Sequence, residues 1–261
     1  MTRRQRARTI RAVQYSVLLA AGGTFVALAD WGRIGDAFFD VDVIRELFPE
    51  IITIALKNTV LYTLCAFAFG LLLGLVIALM RLSPVAAYRA LAIVYIEFFR
   101  GIPALLVLIG FGYGIPIALN TELPGGILGT ITVALGLVAA AYMAETFRAG
   151  IQAVPKGQME AARSLGMSHS RAMVSIVIPQ AFRIILPPLT NELILLTKDS
   201  SLVYLLGLST TTLELTKFGR DTMNDKHSLT ALVAVAACYL LITVPLAVIV
   251  RRMEAHAGRA R

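Results

Sequence analysis

The chain has 261 residues, of which 57% are hydrophobic and only 15% charged, and a mean hydropathy of +0.77. About a quarter of the residues of a soluble domain are charged, so this composition excludes an ordinary soluble enzyme and points to an integral membrane protein. The net charge of +8 comes without a basic, aromatic-studded polar face, which argues against nucleic-acid binding, and period-two alternation is not sustained, which argues against a barrel.

In chain order, a first helix is expected over 13–30, behind Arg3, Arg4, Arg6, Arg8 and Arg11. This start has the layout of a signal peptide, with "ALA" at 27–29 close to a cleavage site, but a retained helix is the expectation. Residues 31–50 carry Asp36, Asp40, Asp42, Glu46 and Glu50. A second helix is expected over 52–80, where Gly70 and Gly74 have the spacing of close helix packing. A basic turn at 81–89 leads to a third helix over 90–119, then a polar turn with Pro124 and a fourth helix over 127–147. A charged interruption at 148–179 follows. Next come a fifth segment reaching residue 208, broken at Pro187 and Pro188, a polar stretch at 210–228, and a last helix over 229–250 ending in Arg251 and Arg252. The fold class is therefore all-α, with about six membrane spans. Cys65 and Cys238 sit in apolar runs and read as small core residues without a disulfide.

Orientation follows from the arginines and lysines. The N-terminal arginines, Arg81, Arg89, Arg148, Lys156, Arg163, Arg171, Arg251, Arg252, Arg259 and Arg261 would share one side, against Arg33, Arg45, Lys217, Arg220 and Lys226 on the other. The excess places both termini and the 148–179 segment in the cytoplasm.

That segment has local logic. Pro155 is suited to a helix start, residues 156–165 are good helix formers, and Gly166 fits a left-handed cap. A second helix would begin within 167–177, and Pro179 would kink or end it. Ala161 and Ala162 offer little bulk and Glu160 offers a charge. This is the shape of a docking element, although an ordinary amphipathic connector fits local physics equally well.

Glu160-Ala161-Ala162, three residues, Gly166, nine residues, then Ile176, Ile178 and Pro179 resembles the EAA loop of ABC importer permeases, with Ile178 where the family has leucine. "YIEFFRGIP" at 95–103 and "NELILLTKDSSLVYLLG" at 191–207 resemble the permeases for polar amino acids such as histidine, glutamine, glutamate and arginine. The resemblance covers 58–252. It implies a type I importer permease fold, with an added N-terminal helix, in a bacterial cytoplasmic membrane. The expected divisions are 1–50 (tail, added helix and outer segment), 51–252 (permease core) and 253–261 (tail). It also implies partners: two ATP-binding cassette subunits, an extracytoplasmic solute-binding protein, and a second permease chain, identical or not. The ATPase-coupling residues carried over are Glu160, Ala161, Ala162, Gly166 and Pro179.

The sequence has no G-x-x-x-x-G-K-[ST] phosphate loop, and His169, His227 and His256 lack metal-ligand spacing. The expectation is a non-enzymatic subunit that binds no cofactor, ATP and Mg²⁺ being used by a partner. Ionisable residues inside a span invite a functional reading. Glu97 and Arg100 lie three apart before Gly101 and Pro103. Asn191, Glu192, Lys198 and Asp199 follow a second break, the proline pair Pro187–Pro188. These six are the candidate substrate-path residues, with ion pairing of Glu97 to Arg100 and of Lys198 to Asp199 the plainer alternative. The same intramembrane charges suit a rival reading, an ion-gradient-driven carrier for a polar solute. A non-transporting membrane anchor is a third.

Overall fold

The computed structural model describes residues 3–259. Arg261 lies outside the described residues, as do the side chains of Arg3, His256 and Arg259. Among the described residues eleven helices follow one another: α1 (Arg3–Leu28), α2 (Trp31–Phe38), α3 (Val41–Leu47), α4 (Ile51–Leu82), α5 (Ala86–Gly101), α6 (Ala104–Leu119), α7 (Gly126–Gln152), α8 (Lys156–Ser164), α9 (His169–Leu206), α10 (Leu215–Lys226) and α11 (Thr230–Arg259). No strand occurs among the described residues. Among the described residues five helices are long and apolar enough to cross a membrane, and a sixth crossing forms if the bent pair α5–α6 counts as one.

α4 and α7 form the centre. Their backbones approach closely where glycines face each other: a Cβ on Gly74 would lie 2.9 Å from the Met143 Cβ, and one on Gly136 would lie 2.6 Å from the Phe69 ring. Small residues allow this approach, and dispersion contacts rather than water exclusion hold such a pair in lipid. Around them Tyr62, Leu108, Ile131, Leu135, Met143, Leu196 and Val203 form the main core. A second cluster, Leu47, Ile51, Leu215, Ala231 and Val235, joins α3, α10 and α11 to the start of α4. The bundle thus has an α10 end, where α4 begins, and an α8 end, where α4 finishes at Arg81.

Several boundaries differ from the sequence expectation. α1 begins within the arginine-rich tail rather than at residue 13, because arginine favours helix and nothing breaks it there. None of its apolar stretch is buried. The third expected helix is two helices meeting at 100°: Pro103 forces Ile102 to φ −102°, ψ 134°, an extended backbone. Pro179 neither ends nor breaks α9. The turns widen to a π pattern over Met173–Val177, which accommodates the proline ring, and Gln180 Nε2 adds a hydrogen bond to the Ile176 carbonyl at 2.9 Å. Pro187 and Pro188 make no break either: the helix is continuous from Ile178 to Asp199. Tertiary packing against α7 and α11 supports a span whose prolines free two carbonyls. The polar 210–228 stretch contains α10. Cys65 and Cys238 are both free thiols, half-buried and buried.

Candidate functional site: a charged cavity and the loop beneath it

The bend at Ile102–Pro103 opens a space between α5, α7 and α9. Two adjoining hollows of about 470 and 520 Å³ share Arg100, Tyr142 and Glu192 as walls. The first is also lined by the backbone turn at Gly101–Pro103 and by Asp199; the second adds Asn191, Pro188, Glu145 and Thr146. The Arg100 guanidinium lies 5.5 Å from the centre of the Tyr142 ring, a cation–π distance. α9 delivers the adjacent Asn191 and Glu192, and Asp199 about two turns further on.

Of the six candidate path residues, four meet here: Arg100, Asn191, Glu192 and Asp199. Glu97 and Lys198 do not line the cavity and are exposed. Neither alternative ion pair forms: Arg100 turns to Tyr142, and Lys198 makes no salt bridge to Asp199. Sequence reading missed Tyr142 and Glu145. Glu145 is the only carboxylate in α7, and that was the available signal. Arg148 holds it from Nε (3.2 and 3.1 Å) and from Nη2 at 2.5 Å, and the Arg81 guanidinium stands 4.0 Å away.

The loop forms as its residues suggest. α8 runs Lys156–Ser164 behind Pro155, and Gly166 adopts φ +83°. Its N–H reaches the Arg163 carbonyl at 3.0 Å, and the Met167 N–H reaches the Ala162 carbonyl at 3.2 Å, the paired bonds of a Schellman ending. Arg163 adds a bond to the Met167 carbonyl at 3.0 Å. Glu160, Ala161, Gly166 and Pro179 are exposed, whereas Ala162 is buried against the chain's own helices. Of the two alanines, only Ala161 is therefore free to meet another surface. Leu165, unremarked in the sequence, is 85% exposed at the tip. Beneath α8 lies a groove of about 450 Å³, walled by Ile151, Met159, Met173 and Val177, with Gln152 and Lys156 on its rim.

The opposite end has its own missed residue. Glu214 is fully buried and caps α10, accepting from the N–H groups of Thr216 and Lys217, both at 2.6 Å, and from the Tyr239 hydroxyl at 3.3 Å. Burial pushes its carboxyl up to about 7 against the pull of those donors.

Over residues 70–259 the chain matches the family described as binding-protein-dependent transport system inner membrane component. It is 39% identical over 205 residues to a probable glutamine ABC transporter permease of Bacillus subtilis, covering 76% of this chain and 88% of that one. It is 37% identical over 255 residues to an arginine transport system permease of Corynebacterium glutamicum, covering 90% and 78%. Among solved structures, an amino acid ABC transporter crystallised with histidines superposes with a TM-score of 0.74 at 34% identity, over 83% of this chain and 98% of that one. A bacterial alginate ABC transporter (TM-score 0.65, 15% identity, 99% of both chains) shares the fold alone. The chain belongs to the binding-protein-dependent transport system inner membrane component family, and within it is a multi-pass permease of the polar amino-acid ABC type.

Proposed function

We propose that this chain forms the solute path of an ATP-driven importer of polar amino acids in a bacterial cytoplasmic membrane, and that α8 transmits the movement of a separate ATPase. The observation that carries this reading is the cavity, which brings Arg100 together with Glu192 and Asp199. A zwitterion needs a donor for its carboxylate and an acceptor for its ammonium. Arg100 supplies the first, Glu192 and Asp199 the second, and Asn191 a neutral partner. The relatives named for glutamine, arginine and glutamate/aspartate transport agree with that pairing. On this reading both termini and α8 lie in the cytoplasm, residues 51–252 form the permease core, 1–50 hold the N-terminal tail, the added helix and an outer segment, and 253–261 is a cytoplasmic tail. Glu160, Ala161, Gly166 and Pro179 face an ATPase subunit, with Ala162 fixing α8 from behind. Two ATPases using ATP and Mg²⁺, an extracytoplasmic solute-binding protein and a second permease chain complete the assembly.

The test is uptake by proteoliposomes containing the chain with whatever ATPase and binding protein co-purify from its host. Labelled glutamine, arginine and glutamate are offered in turn. Uptake that needs internal ATP, survives a protonophore and falls with Arg100→Ala supports the reading. Uptake that a protonophore abolishes and ATP does not drive overturns it in favour of a gradient-driven carrier.

A further inference from the structure

α7 carries one carboxylate and one cation, Glu145 and Arg148, and the two are joined. Glu145 lines the cavity. Arg148 does not, but it holds both Glu145 oxygens through Nε and Nη2. Its remaining arm, Nη1, donates to Gln152 Oε1 at 2.7 Å. Gln152 is the last residue of α7, and it lies on the rim of the groove beneath α8 beside Pro155 and Lys156. One guanidinium thus touches the cavity wall and the root of the loop at the same time.

The pair is only partly buried: the Glu145 side chain is 23% exposed. Its carboxylate faces a space large enough for a solute and has Arg81 as a second cation at 4.0 Å. It therefore has an alternative partner available whenever a cation enters. Arginine's fork geometry makes the exchange sharp, because losing both Glu145 oxygens removes the groups that orient the plane of the guanidinium. Gln152 then loses its fixed donor, at the point where the helix gives way to the three-residue link into α8.

We propose that Glu145 is a positioning residue that couples cavity occupancy to the loop: an entering solute ammonium competes with Arg148 for its carboxylate, and Arg148 passes the change to Gln152 and so to α8. This rests on the importer reading above. It adds a pair of alternative contacts, which is what a ligand needs in order to bias one state over another.

The readout is the ratio of solute-stimulated to unstimulated ATPase rate in the reconstituted full assembly, with glutamine, arginine and glutamate as probes. Site-to-site couplings commonly amount to about 5- to 150-fold. Gln152→Leu leaves Glu145, Arg148 and the cavity in place and cuts only the last link, so the ratio is expected to fall about fivefold or more while the solute concentration for half-stimulation stays put. Glu145→Gln is expected to lose the ratio and to shift that concentration as well. The double variant is expected to be no worse than Glu145→Gln alone, because both changes break one chain. If Glu145→Gln fails to assemble, Gln152→Leu decides by itself. A wild-type ratio in Gln152→Leu, with the wild type stimulated, overturns the relay alone. A wild type that no amino acid stimulates overturns the importer reading and the relay together.

Discussion

The side-chain amide of Asn58 donates to the Leu213 carbonyl at 2.9 Å, across 155 residues of chain. The same amide reaches the Thr211 carbonyl at 2.9 Å, the Tyr62 hydroxyl donates to the Thr212 carbonyl at 2.8 Å, and the Leu215 N–H donates to the Thr59 hydroxyl at 3.1 Å. One face of α4 thereby holds the whole approach to α10. These carbonyls belong to an irregular segment and have no helix partner, so the side chains of α4 do the work that a ladder would do elsewhere.

Removing that amide should therefore be costly. Asn58→Ala leaves two carbonyls without a donor, at about 1–3 kcal/mol in total. The expected result is a lower melting temperature in detergent. Tyr62→Phe should add to the loss, because it removes a third bond in the same strap.

Glu214 gives a pH dependence with a definite sign. Its carboxyl is raised in the folded chain from 4.5 to about 7, chiefly by burial. A raised carboxyl binds its proton more tightly when folded. The stability it contributes is full below about 4.5 and is lost as pH rises through about 7. Thermal stability should decline as pH rises from about 4.5 to about 7, by about 3 kcal/mol at most, and level off above that. Glu214→Gln, which removes the titration but keeps only one of the two oxygens that accept from the Thr216 and Lys217 N–H groups, should flatten the slope at a lower overall stability. An unchanged slope in that variant would assign the titration to another group.

Gly74 and Gly70 of α4 and Gly22 of α1 form a graded series. A Cβ at Gly70 would meet Ala139 Cβ at 3.1 Å and one at Gly74 would meet Met143 Cβ at 2.9 Å, whereas one at Gly22 meets nothing within 4 Å. The expected order of stability loss is Gly74→Ala, then Gly70→Ala, then Gly22→Ala with none. Gly74→Leu should cost about 1–3 kcal/mol or more through overpacking. Melting temperatures of the purified variants check the order.

Gly166 has open space around it but a left-handed backbone, φ +83°. Gly166→Val therefore acts through strain and not through a clash, at about 1–2 kcal/mol. It should loosen the Schellman ending of α8 and lower the amount of co-purifying ATPase. Gly166→Asn, which tolerates this conformation better, should retain more. Equal yields in both variants would count against the coupling role of α8.

Much of this protein was legible in its sequence. Length, hydropathy and the scarcity of charge determined an all-helical membrane bundle, because each long apolar run must satisfy its own backbone in lipid. The Pro155-to-Gly166 spacing determined α8 and its cap, since both rest on local backbone rules. Tertiary structure decided what depends on distant partners. Pro103 turns the chain by 100°, while Pro187 and Pro188 leave α9 unbroken. A proline's effect depends on whether the surrounding helices reward a bend or hold the span straight. Likewise Glu97 and Arg100 are three apart on one helix, yet only Arg100 reaches the cavity. Tyr142 and Glu214 look unexceptional in the sequence, and Glu145 stands out only as the lone carboxylate of its span. They gain their roles from what α4, α9 and α11 bring beside them, and the packing of helices far apart in the chain sets that proximity.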